Sequence, residues 1–409
     1  MPALPAPTAR TLAFAAGGVA LLLLGVAFGN QDTVWPAVFL IALPCVALLL
    51  ALATRPRIAV ERTVAPASIP AGEPATVHLR STARRASSVG TVVAEDDPGV
   101  ALGLPRQMPV DASTVGAVTE ATYEIRPRRR GRHTLDGYRF RFVDLFGFWL
   151  WTLHVAHPTD LAVTPATVPL STTRASSYGI TGETPIPHTA VAGPDDAMVR
   201  EYQPRDDVRR IHWPSTAHSG VLMVRREEAA WDPTAWVLLD SRADVLGADD
   251  GEGGGPPGFE TLVSAAASIG LRMLEDGFTV TLVDAEGAHR PVVAEHAGAE
   301  TSWLDPLVDA DIHDASGLNE ATVALAQAGP EQVVLALLGG LDAGDAALLM
   351  AADAPRQRRI AFVLSPDAAA RPAFDEASVT LSAHGWDVRE LSTLAVLPHA
   401  WALENAGAR

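Results

Sequence analysis

The chain has 409 residues, of which 48% are hydrophobic, so it is long enough for two or three domains that each bury a core. Its formal charge is −17, and all 31 basic residues are arginine because the sequence contains no lysine. This acidic balance argues against a duplex-DNA binder, and we expect no nucleic-acid partner. The single cysteine, Cys45, excludes an intramolecular disulfide, so the fold depends on packing alone.

Two apolar runs near the N-terminus, residues 11–29 and 35–53, each have about the length that a ~30 Å hydrocarbon layer requires of a helix. A signal peptide cut near Gly29 is the alternative, because the first run ends in small residues. We favour an anchor of two transmembrane helices within residues 1–57, since the second run would hold the chain in the bilayer in either case.

The charges around the two runs predict their orientation. The connecting residues 29–34 carry no positive charge, while arginines flank the pair on its outer sides, namely Arg10, Arg55, Arg57 and Arg62. Positive residues favour the cytoplasmic side of a membrane. We therefore expect a multi-pass protein of the cell membrane with both termini in the cytoplasm.

Residues 58–170 alternate short β-prone stretches with Pro and Gly turns, a pattern that predicts a small antiparallel β-sandwich. Five arginines occupy the seven positions 126–132. They either address anionic lipid or an acidic protein surface, or lie exposed on a hairpin before a strand. Asp144, which precedes Leu-Phe-Gly, is expected to make a turn.

Residues 171–228 consist of a polar, proline-containing linker and then a dense mixture of Arg, Asp, His and Trp that follows no amphipathic period. One hypothesis is an ion-paired knot in which Tyr202 and Trp213 form the apolar floor. The other is a ligand-binding or hydrolytic site around Arg200–His218. Both hypotheses stay open at this point.

His212 is the best isolated candidate for catalysis, because Asp206, Asp207 and Ser215 are close to it in sequence. No Gly-x-Ser-x-Gly elbow precedes a helix, and proximity in sequence does not make a triad. A His212–Trp213 pair that packs and forms hydrogen bonds is the favoured interpretation. We therefore expect a protein without catalytic residues.

The same stretch resembles the signature of the domain-of-unknown-function family fifty-eight. The residues that carry the resemblance are Arg200, Tyr202, Pro204, Asp206, Arg209, Ile211, His212 and Trp213. Arg205 and His218 depart from the Gly and Arg that the family usually has, which would weaken an anion site there or make it sensitive to pH. The family has no settled activity, but its members tend to accompany MoxR-type AAA+ ATPases. The resemblance therefore implies such an ATPase as a partner.

Residues 229–409 contain 28 acidic residues against 9 arginines and alternate apolar strands with amphipathic helices. This alternation predicts a mainly parallel sheet with helices on both faces. The strands are expected at 236–240, 279–283, 333–338, 360–364 and 387–391, and the helices at 259–276, 319–328, 345–354 and 372–383. The family resemblance implies a von Willebrand factor A-like domain.

Intact domains of that type hold Mg²⁺ with an Asp-x-Ser-x-Ser motif after the first strand. Here Asp240 is kept, but Arg242 and Asp244 stand at the two Ser positions, and an Arg beside the ion is electrostatically unfavourable. Asp240 and Asp342 are thus weak metal candidates, and we expect neither a metal nor a cofactor. An Asp240–Arg242 surface pair or a turn at a helix N-terminus is the favoured interpretation of these residues.

Together these patterns predict a membrane hairpin plus an α+β chain: two N-terminal helices, an antiparallel β-sandwich, and an α/β domain with a mainly parallel sheet. The expected function is that of a non-enzymatic scaffold that faces the cytoplasm and binds a protein partner, an AAA+ ATPase by resemblance. The alternatives are the site around Arg200–His218 and a Mg-dependent adhesion-type domain.

Overall fold

The computed structural model describes residues 5–54, 57–85, 90–99, 102–135, 137–172, 199–202, 211–225, 233–247, 255–284, 287–313, 318–330, 332–354 and 356–402. The chain divides into two compact units. The first consists of Met1–Ala166 and Leu307–Asp309, and the second of Thr167–Pro306 and Ala310–Arg409. Both units contain β-sheets, and the long apolar helices belong to the first.

Helices α1 (Ala9–Phe28) and α2 (Gln31–Ala53) are long and apolar enough to cross a membrane, as the sequence predicts. A turn of only two residues joins them. Gly29 ends α1 in the left-handed region at φ +63°, and the Asn30 side chain accepts a hydrogen bond from the Asp32 N–H over 3.0 Å. The apolar run predicted that this helix begins at residue 35. The helix α2 begins earlier, at Gln31, because Asn30 caps it.

A seam of small residues holds α1 against α2. The buried positions of α1 recur every seventh residue, the spacing that keeps one face toward a partner helix. The buried residues are Thr11, Gly18 and Gly25 on α1, and Ala37, Pro44, Ala47 and Ala51 on α2, of which Ala51 packs in the core of the sandwich. Small side chains let the two backbones approach closely, which is how helices associate in lipid. The large apolar side chains lie outside this seam, and more than half of all exposed ones among the described residues belong to these two helices.

The rest of the first unit is a set of short strands, largely antiparallel as predicted, with one parallel pair. The strands are β1 (Ala6–Pro7), β2 (Arg57–Ala65), β3 (Ser68–Pro70), β4 (Ala75–Arg85), β5 (Thr91–Asp96), β6 (Arg106–Val110), β7 (Val118–Ile125), β8 (Gly131–Leu135), β9 (Tyr138–Val143), β10 (Trp149–Val155) and β11 (Thr159–Thr164). They form three sheets, ordered β1-β10-β9-β5-β6, β3-β11-β8 and β2-β4-β7. Alternate residues of β4 and β9 are buried, so both strands face a shared core.

The chain enters the first sheet before it enters the helices. Strand β1 pairs antiparallel with β10, with Pro7 opposite Trp149. Helix α1 follows two residues later, and on α2 the Pro44 carbonyl accepts a hydrogen bond from the Trp149 indole N–H over 2.8 Å. The helices and the sandwich are therefore parts of one unit rather than an anchor and a freely tethered domain.

An arginine lies at the centre of the sandwich rather than at the membrane surface. The side chains of Arg62 and Asp96 are completely buried, and Arg62 Nη2 donates to Asp96 Oδ1 over 2.5 Å. Arg62 also donates to the hydroxyl of Tyr138 and the carbonyl of Leu135, and Tyr123 donates to Asp96. Burial raises the pKa of Asp96 and that of both tyrosines. Arg62, predicted as a flanking charge, is thus a core residue of the folded protein.

The second unit contains a two-stranded and a six-stranded sheet. The strands are β12 (Val199–Glu201), β13 (Met223–Arg225), β14 (Thr234–Leu239), β15 (Thr279–Asp284), β16 (Gly287–Ala288), β17 (Val333–Leu338), β18 (Arg358–Leu364) and β19 (Trp386–Leu391). The helices are α3 (Trp213–Ser219), α4 (Ala243–Leu246), α5 (Pro257–Glu275), α6 (Ala299–Asp309, which ends in the first unit), α7 (Asn319–Leu325), α8 (Ala343–Ala351), α9 (Arg371–Ala383) and α10 (Leu397–Ala402).

The six-stranded sheet has the order β16-β15-β14-β17-β18-β19. Every pairing in it is parallel except that of β15 with the short edge strand β16. All six residues of β17 are buried, which is typical of a central strand covered on both faces. Mixed α/β content is therefore confirmed. Because β14 and β17 are parallel neighbours, their carboxyl ends and the loops that follow them lie at the same side of the sheet, which we call its carboxyl edge.

Candidate functional site

The structure describes only part of the family signature. Tyr202, Ile211, His212 and Trp213 are described with their side chains, and Arg200 by its backbone. Pro204, Asp206 and Arg209 lie outside the described residues, as does Asp207. Most of the predicted ion-paired knot therefore lies outside the described residues, whereas the segments at its two ends lie within them.

Those two ends form a small module with the chain that follows. Strand β12 pairs antiparallel with β13, Tyr202 N–H donates to the Leu222 carbonyl over 2.8 Å, and His212 N–H donates to the Met223 carbonyl over 2.8 Å. Helix α3 lies between these contacts in sequence and ends at Gly220, where φ is +72°. The two segments of the signature are thus brought to one hairpin, β12–β13, which we call the signature module (199–202 and 211–225).

His212 caps α3. Its Nδ1 lies 2.9 Å from Ser215 Oγ and 3.4 Å from the Ser215 backbone N, so Nδ1 acts as the acceptor and the proton is assigned to Nε2. The ring is half-buried. This contact joins two of the residues that sequence analysis named for a hydrolytic site. It also has an ordinary structural role, because it satisfies a backbone N–H at the start of the helix.

Trp213 does not form an apolar floor. Its side chain is 65% exposed, and Val221 and Leu222 on the same module are exposed as well. The Trp is the first residue of α3. The predicted packed His212–Trp213 pair is therefore wrong for the Trp, and the signature module presents an aromatic side chain to its surroundings.

At the edge where β14 and β17 end, one arginine lies between two aspartates. Arg242 donates to Asp240 through Nε (2.9 Å) and Nη2 (2.8 Å), and to Asp345 through Nη1 (2.7 Å) and Nη2 (3.2 Å). All three side chains are buried. Asp240 also accepts hydrogen bonds from the backbone N–H groups of Arg242 and Gly339. The Asp240–Arg242 pair is thus a buried bridge between strand ends, not the surface pair that the sequence suggested.

The electrostatics of this cluster keep the guanidinium charged. Burial works against the charge of Arg242, but its hydrogen bonds with Asp240 and Asp345 outweigh burial and raise the pKa of Arg242. Burial also raises the pKa of the Asp345 carboxyl, and the opposing contacts with Arg242 reduce that rise. A fixed internal cation therefore balances the carboxylates at this edge.

Asp342, the other predicted metal candidate, caps helix α8. Its carboxylate accepts from the Asp345 N–H over 2.8 Å, while the Asp345 carboxylate accepts from the Asp342 N–H over 3.3 Å. This reciprocal capping box holds Asp345 toward Arg242. Asp345 was not predicted as a site residue, although its position three residues after Asp342 at a helix start is the sequence pattern of a capping box.

The cluster does not fit a magnesium ion. Mg²⁺ needs carboxylate or hydroxyl oxygens arranged as an octahedron with water. The oxygens of Asp240 are bound to the guanidinium and to backbone N–H groups, and Asp345 is bound in the same way. A second cation here would lie against the Arg242 guanidinium.

Comparison with known protein families gives a match to part of the chain. Residues 198–362 match the model of the family described as protein of unknown function DUF58, in agreement with the resemblance of the signature. The match contains the signature module and the Asp240–Arg242–Asp345 cluster. No curated protein matches the chain.

The similarity to solved structures is weak. The CARDB domain of a Pyrococcus furiosus protein, solved with di-metal ions, is 12% identical, covers 26% of this chain and 93% of its own, and has a TM-score of 0.19. A variant of the PilB minor pilin from Streptococcus sanguinis is 8% identical, with coverages of 77% and 87% and a TM-score of 0.30. Scores this low support no argument about function.

Proposed function

We propose that the protein is a membrane-anchored, non-enzymatic scaffold. Its residues 198–362 match the DUF58 family, whose function is unknown. In this proposal the folded units lie on the cytoplasmic face, and the second unit binds a protein partner. The partner is an AAA+ ATPase of the MoxR type, which the family resemblance implies. The α/β unit is von Willebrand factor A-like, which its parallel sheet supports.

Three contacts support a retained two-helix anchor over a cleaved signal peptide. Strand β1 pairs with β10, Thr11 on α1 donates to the Phe148 carbonyl, and Phe14 packs edge-on against the Phe148 ring with 4.9 Å between centroids. Cleavage near Gly29 would remove all of these partners from the sandwich. The proposal therefore keeps α1 in the mature protein.

The charges at the helix ends support the cytoplasmic orientation. Arg10 is exposed at the start of α1, and Arg57 is exposed just after α2. Arg85 donates to the Ala53 carbonyl at the end of α2 over 2.7 Å, where a cation also interacts favourably with the helix dipole. The two-residue turn at the other end has no charged residue, and the nearby charge is Asp32. Positive charge thus collects at the end that joins the sandwich.

The exposed side chain of Trp213 is the main observation that supports a protein partner. Trp is enriched among binding hot spots, and Trp213 is 65% exposed on a module that also exposes Val221 and Leu222. The hydrogen bond from His212 N–H to the Met223 carbonyl places Trp213 and Leu222, the next residues, on one module. We assign the partner surface to Trp213, Val221 and Leu222.

The carboxyl edge of the six-stranded sheet offers the partner a second, acidic surface. Exposed carboxylates follow three of its parallel strands, Asp244 after β14, Asp342 after β17 and Asp367 after β18. Carboxyl ends of parallel strands lie at one edge, so these acids share it. A basic patch on the partner would match this edge and speed association.

Pull-down from mild detergent with the full-length chain tests the proposal. Wild-type protein is expected to retain an AAA+ ATPase, identified by mass spectrometry, whereas Trp213→Ala and Leu222→Ser lose it. Val379→Ser is the matched control, because Val379 is equally exposed but lies on α9. Retention of the ATPase by the Trp213→Ala variant contradicts the assigned surface. Recovery of no ATPase by folded wild-type protein contradicts the partner.

The second candidate function is the hydrolytic site around Arg200–His218, and the 2.9 Å contact between His212 Nδ1 and Ser215 Oγ is the observation in its favour. A serine activated by this histidine would react with a fluorophosphonate probe. Labelling of wild-type protein that disappears in Ser215→Ala and in His212→Gln would establish that site. Absence of labelling on folded wild-type protein leaves the contact as a helix cap.

A further inference from the structure

The turn between β9 and β10 has two apolar side chains that the protein leaves uncovered. Leu145 is 67% exposed and Phe146 is 42% exposed. Asp144 makes this turn, as predicted: its carboxylate accepts from the Phe146 N–H over 3.1 Å and from the Trp149 N–H over 2.5 Å. Because Asp144 is buried and fixes the backbone, the turn holds both apolar side chains outward. We call residues 144–148 the hairpin tip.

The hairpin tip is fastened to the first turn of α1. Thr8 Oγ1 donates to the Gly147 carbonyl over 2.7 Å, and Arg10 Nη1 donates to the Phe146 carbonyl over 3.2 Å. Gly147 has φ +72°, and a Cβ there would meet the Arg10 guanidinium at 2.9 Å, so Arg10 packs directly on the tip. The tip and the start of α1 are therefore at the same level along the helix axis.

If α1 spans the bilayer, its first turn and the hairpin tip lie at the bilayer surface. This inference therefore rests on the membrane anchor of the proposed function. A helix of 20 residues is about 30 Å long and matches the hydrocarbon thickness, so its first turn lies at the interface. Leu12, in the next part of α1, is exposed like the tip residues. The Trp149 indole N–H, next to the tip in sequence, donates to the Pro44 carbonyl of α2.

We propose that the hairpin tip inserts into the same phospholipid leaflet that α1 enters, as a third membrane contact of the protein. Leu145 and Phe146 lie among the upper acyl chains, and the Arg10 guanidinium lies at the phosphate groups. A long Arg side chain can keep its charge at the headgroups while its stem covers apolar surface. Three attachments, α1, α2 and the tip, would fix the orientation of the sandwich on the membrane instead of letting it pivot.

Spin-label accessibility in liposomes tests the insertion. Cys45 is replaced by Ser to remove the single cysteine, and Leu145→Cys is labelled in the full-length chain. Leu104→Cys is the matched control. Leu104 is 79% exposed. It follows strand β5, whose last residue, Asp96, pairs with Tyr138. Tyr138 begins β9, whereas the tip follows the other end of β9, so Leu104 and the tip lie at opposite ends of this strand pair. The label at position 145 is expected to collide more with oxygen, which dissolves in the bilayer, than with a water-soluble nickel chelate, and the label at 104 shows the reverse.

Carbonate extraction of the same vesicles separates this inference from the anchor. Protein that stays in the membrane fraction while both labels prefer nickel overturns the insertion and leaves the anchor standing. Release of the protein by carbonate overturns the anchor and the insertion together. A label at 145 that neither reagent reaches marks a protein contact, with a partner or a second copy, and also overturns the insertion.

Discussion

The Arg242 guanidinium bonds to the Asp345 carboxylate over 2.7 Å, across 103 residues of sequence, and so connects the end of β14 to the first turn of α8. Since α8 follows β17, the neighbour of β14 in the sheet, this contact joins the two loops at the carboxyl ends of these strands. The cation between the carboxylates of Asp240 and Asp345 is the guanidinium of Arg242. The charge of this cluster is therefore set by the sequence rather than by the metal concentration.

Replacement of Arg242 is expected to expose a latent magnesium site. Wild-type protein should show the same Tm in EDTA and in Mg²⁺, because the guanidinium already occupies the cluster. The Arg242→Ser variant leaves Asp240 and Asp345 buried and unpaired, a loss of about 3–5 kcal/mol. Mg²⁺ should restore part of that loss, measured as a rise in Tm by thermal denaturation in detergent.

Arg272→Ser controls for the loss of an ion pair alone. Arg272 pairs with Asp276 on α5 and is away from the cluster, so this variant should lose stability without any response to Mg²⁺. A wild-type Tm that rises with Mg²⁺ as much as that of Arg242→Ser would show that the guanidinium does not exclude the ion.

The buried Arg62–Asp96 pair of the sandwich gives a prediction in which removal of both charges, rather than addition of an ion, restores stability. Arg62→Met leaves Asp96 without its cation in a fully buried position and should cost about 3–5 kcal/mol of unfolding free energy. The double variant Arg62→Met with Asp96→Leu removes both charges and should recover more than half of that loss. Urea denaturation followed through the first unit's tryptophans measures both values. Equal losses in the single and double variants would mean that packing, not charge, controls this site.

The sequence predicted the elements well where a pattern is local. Strand β17 has the bounds that its apolar run predicted, and Gly277 follows α5 at φ +86°, as a C-terminal glycine should. Helix α6 was missed because Pro306 interrupts a run that otherwise carries buried Ala299, Trp303 and Leu307 at helical spacing. Strand β1 was missed for a different reason. Two residues, Ala6 and Pro7, have no period, and only the partner strand β10 makes them a strand.

The candidate sites were predicted less well, because their partners are distant in sequence. Asp240 and Arg242 are adjacent enough to suggest a pair, but burial and the contact with Asp345 depend on β14 and β17 being neighbours. Trp213 was placed inside a knot because aromatic residues are usually buried, and no local rule reports which way the first residue of a short helix points. Tertiary topology, rather than residue type, decided both outcomes.

One exposed ion pair predicts a dependence on pH. The hydrogen bond from Arg371, 2.6 Å from Glu390, lowers the pKa of the Glu390 carboxyl below its ordinary 4.5. Since the folded pKa is the lower one, the stabilisation is present above pH 4.5 and is lost as the pH falls through the folded pKa. The Tm difference between wild type and Glu390→Gln should therefore be small but positive at pH 7 and disappear in stronger acid. Glu376→Gln, an exposed change on the same α9 helix, should show no such difference, and a difference that persists at low pH would contradict the assignment.

The two adjacent glycines of α1 should respond in opposite ways to the same substitution. A Cβ on Gly18 would meet the Ile41 side chain at 2.7 Å and the Ala37 carbonyl at 3.1 Å, whereas a Cβ on Gly17 meets nothing within 4 Å. Leucine is the better helix former in both positions, so propensity alone predicts a gain from either change. Gly18→Leu must force α1 from α2 and should lower the Tm in detergent by several degrees, while Gly17→Leu leaves it unchanged or raises it. Equal behaviour of the two variants would mean that the close approach of Gly18 to Ala37 and Ile41 does not hold the hairpin together.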